Sequence, residues 1–340
     1  MRNNNFDQEE WLSGSEKIAT RKILNDRMYG RIEVVDPLVM ELMDLPAIRR
    51  LKDVSQFGVP TKYYLAKNGF SRWEHSVGVM ILLKKLGASR EEQVAGLLHD
   101  VSIPAFSHIG DWLFGSGKKG VENWHDNLHE EYIKKQTKIP QLLNEYDFDI
   151  DHILDEKRFG LLERPMPALC ADRVDYALRE FPLEKATICF NSLVNYQNEI
   201  VFASREAAQI FARGFLDLQQ NHWASKECCL RYNLFTQVLE QALADGIINQ
   251  ADFFRQDGEK YILDRVENSD NQSIGKGLDL LTQPNLAINW VGDKPVVKKF
   301  RYVEPKYLDN DNLLELVKTD EQYRMELEAA REANQAGFMV

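Results

Sequence analysis

Cysteine is scarce in this chain. Its four thiols, Cys170, Cys189, Cys228 and Cys229, show neither Cys-x-x-Cys spacing nor a disulfide framework. That pattern excludes a fold stapled by disulfides and reads as reduced, packed thiols of a cytoplasmic protein. Long apolar runs are also missing. No window of about 18 uninterrupted apolar residues occurs, so no membrane span is expected. The start, Met1-Arg2-Asn3-Asn4-Asn5-Phe6-Asp7, lacks the apolar region of a signal peptide and reads as a polar lead-in. Positive charge is in deficit, 42 Lys and Arg against 53 Asp and Glu, for a net charge of −11. A nonspecific nucleic-acid binder presents a basic face, because neutralising phosphates releases counterions. Here the basic residues are dispersed among acids, which disfavours long nucleic acid and suits a small phosphorylated partner. No internal repeat or low-complexity tract stands out.

What the chain does have is length and a histidine-rich stretch. With 340 residues, 44% of them hydrophobic, it can bury a real core as one large or two modest domains. Three of its seven histidines fall between Ser71 and Asp111. Val79, Leu82, Leu83 and Leu86 recur at helical spacing after His75, and Val94, Leu97 and Leu98 begin a second helix ending in His99-Asp100. Pro104 predicts that this helix stops there. An imidazole beside a carboxylate suits a borderline-hard divalent cation, although a lone His-Asp dipeptide is more often a surface accident. Pro37 and Pro46 each predict a helix start, and Asn68-Gly69 predicts a turn presenting Arg72 and His75. The loop Gly115–Gly120 lacks the spacing of a phosphate loop and reads as a connector.

The order His75 … His99-Asp100 … Asp172 resembles the H…HD…D signature of the HD-domain metal-dependent phosphohydrolases. Ile23 to Glu33, Arg49-Arg50-Leu51-Lys52 with Gln56-Phe57-Gly58, Arg72 to Gly78 and Ala105-Phe106-Ser107-His108 resemble its deoxynucleoside triphosphate triphosphohydrolase branch, which includes the sterile-alpha-motif and HD-domain protein of vertebrates. The resemblance runs from about residue 20 to 185 and fades beyond 190. It implies that His75, His99, Asp100 and Asp172 hold one divalent metal ion (Mn, Fe, Ni, Co, Zn or Mg). His108 and Asp111 stand at i,i+3, where a carboxylate can orient an imidazole. In the family such a pair is the acid/base at the scissile phosphate. His129, followed by Glu130, matches the later family histidine facing the phosphates, with His125 one helical turn earlier as its rival. Arg72 would neutralise phosphate oxygens, Gln56 and Phe57 would meet the sugar, and Tyr176 and Glu180 would line the pocket. Read without the family, residues 166 to 181 are an amphipathic helix with salt-bridging charges.

Two departures stand out. Ile103 occupies the place of a second histidine in His-Asp-x-x-His, which argues against a dinuclear site and against efficient triphosphate handling. The later arginine and Tyr-Gln pair of the family have no clean match between Asn221 and Asn233. The expected architecture is mainly α: a polar lead-in (1–19), an HD core (20–190), a helical accessory region (191–310) with a β-hairpin near 286–303, and a peripheral acidic helical tail (311–340). The expected activity is metal-dependent hydrolysis of a nucleotide phosphate, a dNTP first, by activated water. Cleavage of a small cyclic or oligonucleotide, or non-catalytic nucleotide sensing, are the alternatives. Relatives self-associate, so the resemblance implies a homo-oligomer.

Overall fold

Asp26 turns the chain where the ordered structure starts. Its Oδ1 accepts the N–H groups of Met28 and Tyr29 at 2.7 and 2.9 Å, folding β1 (Lys22–Asp26) back onto β2 (Gly30–Val34) as an antiparallel hairpin. The computed structural model describes residues 21–64, 69–292, 295–310 and 312–340; the lead-in, Asn68 of the expected turn and Asp293-Lys294 lie outside them. Asp36 caps α1 (Pro37–Asp44), whose Leu38, Val39, Leu42 and Met43 are buried as their spacing predicts.

Ser71 and Glu74 form a capping box at α2 (Arg72–Lys85). The Ser71 Oγ accepts the Glu74 N–H at 3.1 Å, and the Glu74 carboxylate accepts the Ser71 N–H at 2.8 Å. Ser89 caps α3 (Arg90–Leu98), which ends at His99. Helices α4 (Ile109–Phe114) and α5 (Asp126–Gln136) follow, then α6 (Ala171–Glu180), α7 (Arg205–Leu218), α8 (Lys226–Ala244) and α9 (Glu321–Ala336). The fold is mainly α. A small sheet of order β3 (Leu193–Tyr196), β4 (Glu199–Phe202), β6 (Lys306–Asp309) and β7 (Asn312–Glu315) flanks the helices, with β4 and β6 parallel. Among the described residues no helix is long and apolar enough to cross a membrane.

Two apolar clusters form the core. One gathers α1, α2, α3, α6, α7 and α9 around Leu82, Leu97, Val174 and Phe215. The other gathers α4 and α8 with residues 253 to 287 around Phe106, Phe235 and Ile262. Helices α2, α3 and α6 come unusually close together. A Cβ on Gly96 would lie 2.4 Å from Leu83 Cδ1, and one on Gly78 would lie 2.1 Å from both Asp175 Oδ1 and Arg179 Nη2.

Two expectations are corrected. Among the described residues of 286–303 no hairpin forms: Leu286–Ile288 is a 3₁₀ turn, and β5 (Pro295–Val296) pairs instead with β8 (Phe338–Met339). Val296 is buried against partners 42 positions away, a long-range choice that local alternation does not reveal. The acidic tail is not peripheral. Tyr323, Leu327 and Ala330 of α9 are buried, and the Tyr323 hydroxyl donates to Val303 O at 2.5 Å.

Candidate metal centre and active site

Each of the four expected ligands sits at a helix end or first turn. His75 lies one turn into α2, His99 and Asp100 leave the end of α3, and Asp172 opens α6. They converge. His75 Nε2 lies 2.9 Å from Asp172 Oδ1 and 3.3 Å from His99 Nε2, and His99 Nε2 lies 3.7 Å from the same Asp172 oxygen. Asp100 Oδ2 is 3.8 and 3.6 Å from the two imidazole nitrogens. Metal–nitrogen bonds of about 2.1 Å at right or tetrahedral angles put donor atoms roughly 3.0 to 3.4 Å apart, and the separations here, 2.9 to 3.8 Å, bracket that range, with His75, His99 and Asp172 grouped most tightly. The far nitrogens are already engaged: Nδ1 of His75 donates to Asp175 Oδ2 at 2.7 Å and Nδ1 of His99 donates to Gly96 O at 2.8 Å. Both imidazoles therefore turn Nε2 inward, as a ligating histidine must. Burial disfavours charge on them, yet the carboxylates win. The His75 pKa is raised through its bonds to Asp172 and Asp175, and that of His99 rises to about 10 beside Asp100 and Asp172. Asp100 also takes Arg72 Nη1 at 2.7 Å, and against its own burial this holds it well below the carboxylate range.

A second cluster stands beside the first. His108 Nδ1 donates to Asp111 Oδ2 at 3.0 Å, His125 Nδ1 approaches the same oxygen at 3.5 Å, and the two imidazole rings lie 5.4 Å apart. Asp111 Oδ1 accepts the Trp124 N–H at 2.7 Å, which fixes the carboxylate. Burial depresses His108, outweighing Asp111 and Glu122, so its imidazole is neutral at pH 7. His129 is placed elsewhere, with Nδ1 2.9 Å from Ser102 Oγ, and burial beside His99 pushes its pKa down to about 4. The loop before His108 runs through two left-handed residues, Phe106 and Ser107, at φ 62° and 48°. Glu259 ties that loop to the Gln56 loop, accepting the N–H groups of Phe106 and Ser55 at 3.0 and 2.8 Å.

Both clusters line one cavity of about 570 Å³, a volume ordinary for a small-molecule site. Gln56, Phe57, Arg72, His129, Tyr176 and Glu180 line it too, so the structure gathers every expected substrate contact around one space. Arg72 has one amino group on Asp100 and its Nε on Ser107 Oγ at 3.0 Å, while its Nη2 is buried without a partner. Gln56 Oε1 is likewise buried and unpaired. Glu180 accepts the Trp223 indole N–H at 2.8 Å. Ile103 is fully buried with Leu51 and Val54 and does not line the cavity.

The HD domain family matches residues 72–179, which span all four residues expected as ligands. The uncharacterised protein YdhJ of Bacillus subtilis is 31% identical over 93% of this chain and 98% of its own. The metal-dependent phosphohydrolase cns2 of Cordyceps militaris is 29% identical, over 66% of this chain and 68% of its own. The chain belongs to the HD-domain metal-dependent phosphohydrolases. The human deoxynucleoside triphosphate triphosphohydrolase SAMHD1 is 34% identical over 44% of this chain, but only 27% of its own length is covered. In fold, this HD phosphohydrolase is similar to a hypothetical protein of Aquifex aeolicus, with a TM-score of 0.65 and 18% identity over 92% of this chain and 99% of that one.

Sequence reasoning missed several residues of this HD phosphohydrolase. Asp175, which orients His75, was visible only as one of two acids on a helix face. Glu122, His222 and Trp223 line the cavity from segments without a motif. Lys298, Lys299 and Arg301 line it as well. Their signal was a basic run in an acidic chain, hidden inside the stretch read as a hairpin.

Proposed function

We propose that the protein hydrolyses a phosphate ester or anhydride of a nucleotide, a deoxynucleoside triphosphate first, at one divalent metal held by His75, His99, Asp100 and Asp172. One observation carries the reading: the ligand cluster and the His108–Asp111 pair open into a single cavity of nucleotide scale. When bound, a divalent cation acidifies a water and screens phosphate oxygens. The rest falls to the chain's own groups. Arg72, pinned by Asp100 and Ser107, turns its unpaired Nη2 to a phosphate oxygen. His108, neutral and held through Nδ1 by Asp111, has Nε2 for proton transfer at the reacting phosphate. His125 shares Asp111 and supports His108; His129, also on the cavity wall, meets a phosphate oxygen. Gln56, Phe57, Tyr176 and Glu180 take the sugar and base. The likeness to the triphosphohydrolase, over less than half of this chain, supports the substrate class.

The test incubates metal-free protein with Mn, Mg, Co or Ni and a panel of dNTPs, nucleoside monophosphates and cyclic dinucleotides, with products separated by chromatography. Triphosphate release is the expected result, and absence of turnover on the whole panel would overturn the reading. Asp100→Ala should lose metal and activity together with the fold kept. His108→Ala should keep the metal while kcat falls about 10²- to 10⁴-fold.

A further inference from the structure

In a chain of net charge −11, three cations fall within four positions, Lys298, Lys299 and Arg301, and all three line the active-site cavity. One carboxylate, the buried Glu122, pairs with Arg301. The Lys298 ammonium lies over the Tyr232 ring, 3.4 Å from its centroid, and 3.6 Å from Cys228 Sγ. The Lys299 ammonium has no ion pair or hydrogen bond among the described residues. Burial, with Arg301 alongside, lowers its pKa against the opposing pull of Glu122 and Asp126.

The run is held in place by its backbone. Lys298 O accepts Asn334 Nδ2 of α9 at 3.1 Å, Lys299 O accepts Gln219 Nε2 at 3.2 Å, and the preceding Val296 is paired in the β5–β8 ladder. Like charges gathered on one wall repel each other, a cost that an entering anion relieves. Near the metal cluster, by contrast, Arg72 is already shared with Asp100 and Arg173 with Glu163.

We infer that Lys298, Lys299 and Arg301 form a second phosphate-binding wall, which makes this site prefer substrates with two or more linked phosphate groups over monophosphates. The inference rests on the nucleotide-hydrolase reading and names its substrate class more narrowly. Glu122 positions Arg301 within the wall, and Lys299 supplies the uncommitted charge.

The test is calorimetric titration of the metal-free full chain with inorganic orthophosphate and inorganic tripolyphosphate, alongside steady-state kinetics of the metal-loaded chain. Tripolyphosphate should bind the wild type more tightly than orthophosphate. Lys299→Gln should weaken tripolyphosphate by about tenfold or more, and orthophosphate by clearly less. Arg301→Gln should act in the same sense; should it unfold because Glu122 loses its partner, Lys299→Gln decides alone. Equal affinity for the two anions, or an equal loss for both in Lys299→Gln, overturns the wall. Turnover of a dNTP with KM unchanged in Lys299→Gln also overturns it while sparing the hydrolase reading. A wild type that binds tripolyphosphate through Lys299 but turns over no nucleotide overturns that reading instead.

Discussion

His75 reaches the metal centre in a fixed orientation because Asp175 holds its other nitrogen. That carboxylate is fully buried and accepts three donors: His75 Nδ1 at 2.7 Å, Arg179 Nε at 2.8 Å and the Tyr29 hydroxyl at 2.5 Å. Burial alone would raise its pKa, but Arg179 and His75 bring it below the usual carboxylate value, so it stays ionised. An amide there keeps the shape and loses the charge. Asp175→Asn should lower metal affinity about 10- to 100-fold, the usual effect of removing an outer partner of a ligating histidine. Competition with a chelator of known affinity measures it, and an unchanged constant would show that His75 needs no such support. The example also marks what spacing alone could not decide. Asp172 and Asp175 share a helix face with Arg179; the packing of α6 against α2 sets Asp172 against His75 Nε2 and turns Asp175 to His75 Nδ1 and Arg179.

That packing depends on one missing side chain. Gly78 lies on the face of α2 against Asp175 and Arg179, where an added Cβ would stand 2.1 Å from an atom of each, too close to coexist. Gly78→Ala must therefore push α2 and α6 apart or displace the Asp175–Arg179 pair. We expect a loss of about 1 to 3 kcal/mol in a denaturant melt together with weakened metal binding, since His75 and Asp172 sit on the two helices that separate. Unchanged stability and affinity would show that the two helices can slide without disturbing the centre. Helices of this kind could be read in advance. The apolar stripes of α2 and α3 are local signals, and each appears in the structure as a buried face. The segment after Leu286 carries no such signal. Its valines and aromatics suit a strand, but the partner of Val296 is Phe338, and no local rule points there. For the same reason the basic run that reaches the cavity could not be assigned to it.

Across the molecule, the centre joins distant parts of the chain: its outermost ligands, His75 and Asp172, are 97 positions apart. Without a metal, protons do the joining. His75 has a pKa raised by its bonds to Asp172 and Asp175, and that of His99 rises to about 10 against 6.5 for an ordinary histidine, so at neutral pH the His99 imidazole is charged beside Asp100 and Asp172. A raised pKa stabilises the folded state fully below the unfolded value of 6.5, and the benefit drains away as pH rises towards 10. The metal-free protein should therefore lose thermal stability over that window. A bound divalent ion replaces those protons, so the loaded protein should not show the same decline, and loading must release protons. Two outcomes follow. The Tm difference between metal-loaded and chelator-treated protein should widen from pH 6.5 to pH 9, reaching about 4 kcal/mol of added stability once free metal is about a thousandfold above its Kd. Apparent metal affinity should climb with pH over the same range, with proton release visible when calorimetry is repeated in buffers of different ionisation enthalpy. A Tm gap independent of pH, with no proton release, would mean that the His99 imidazole is neutral before the ion arrives and that the four side chains do not share a charge between them.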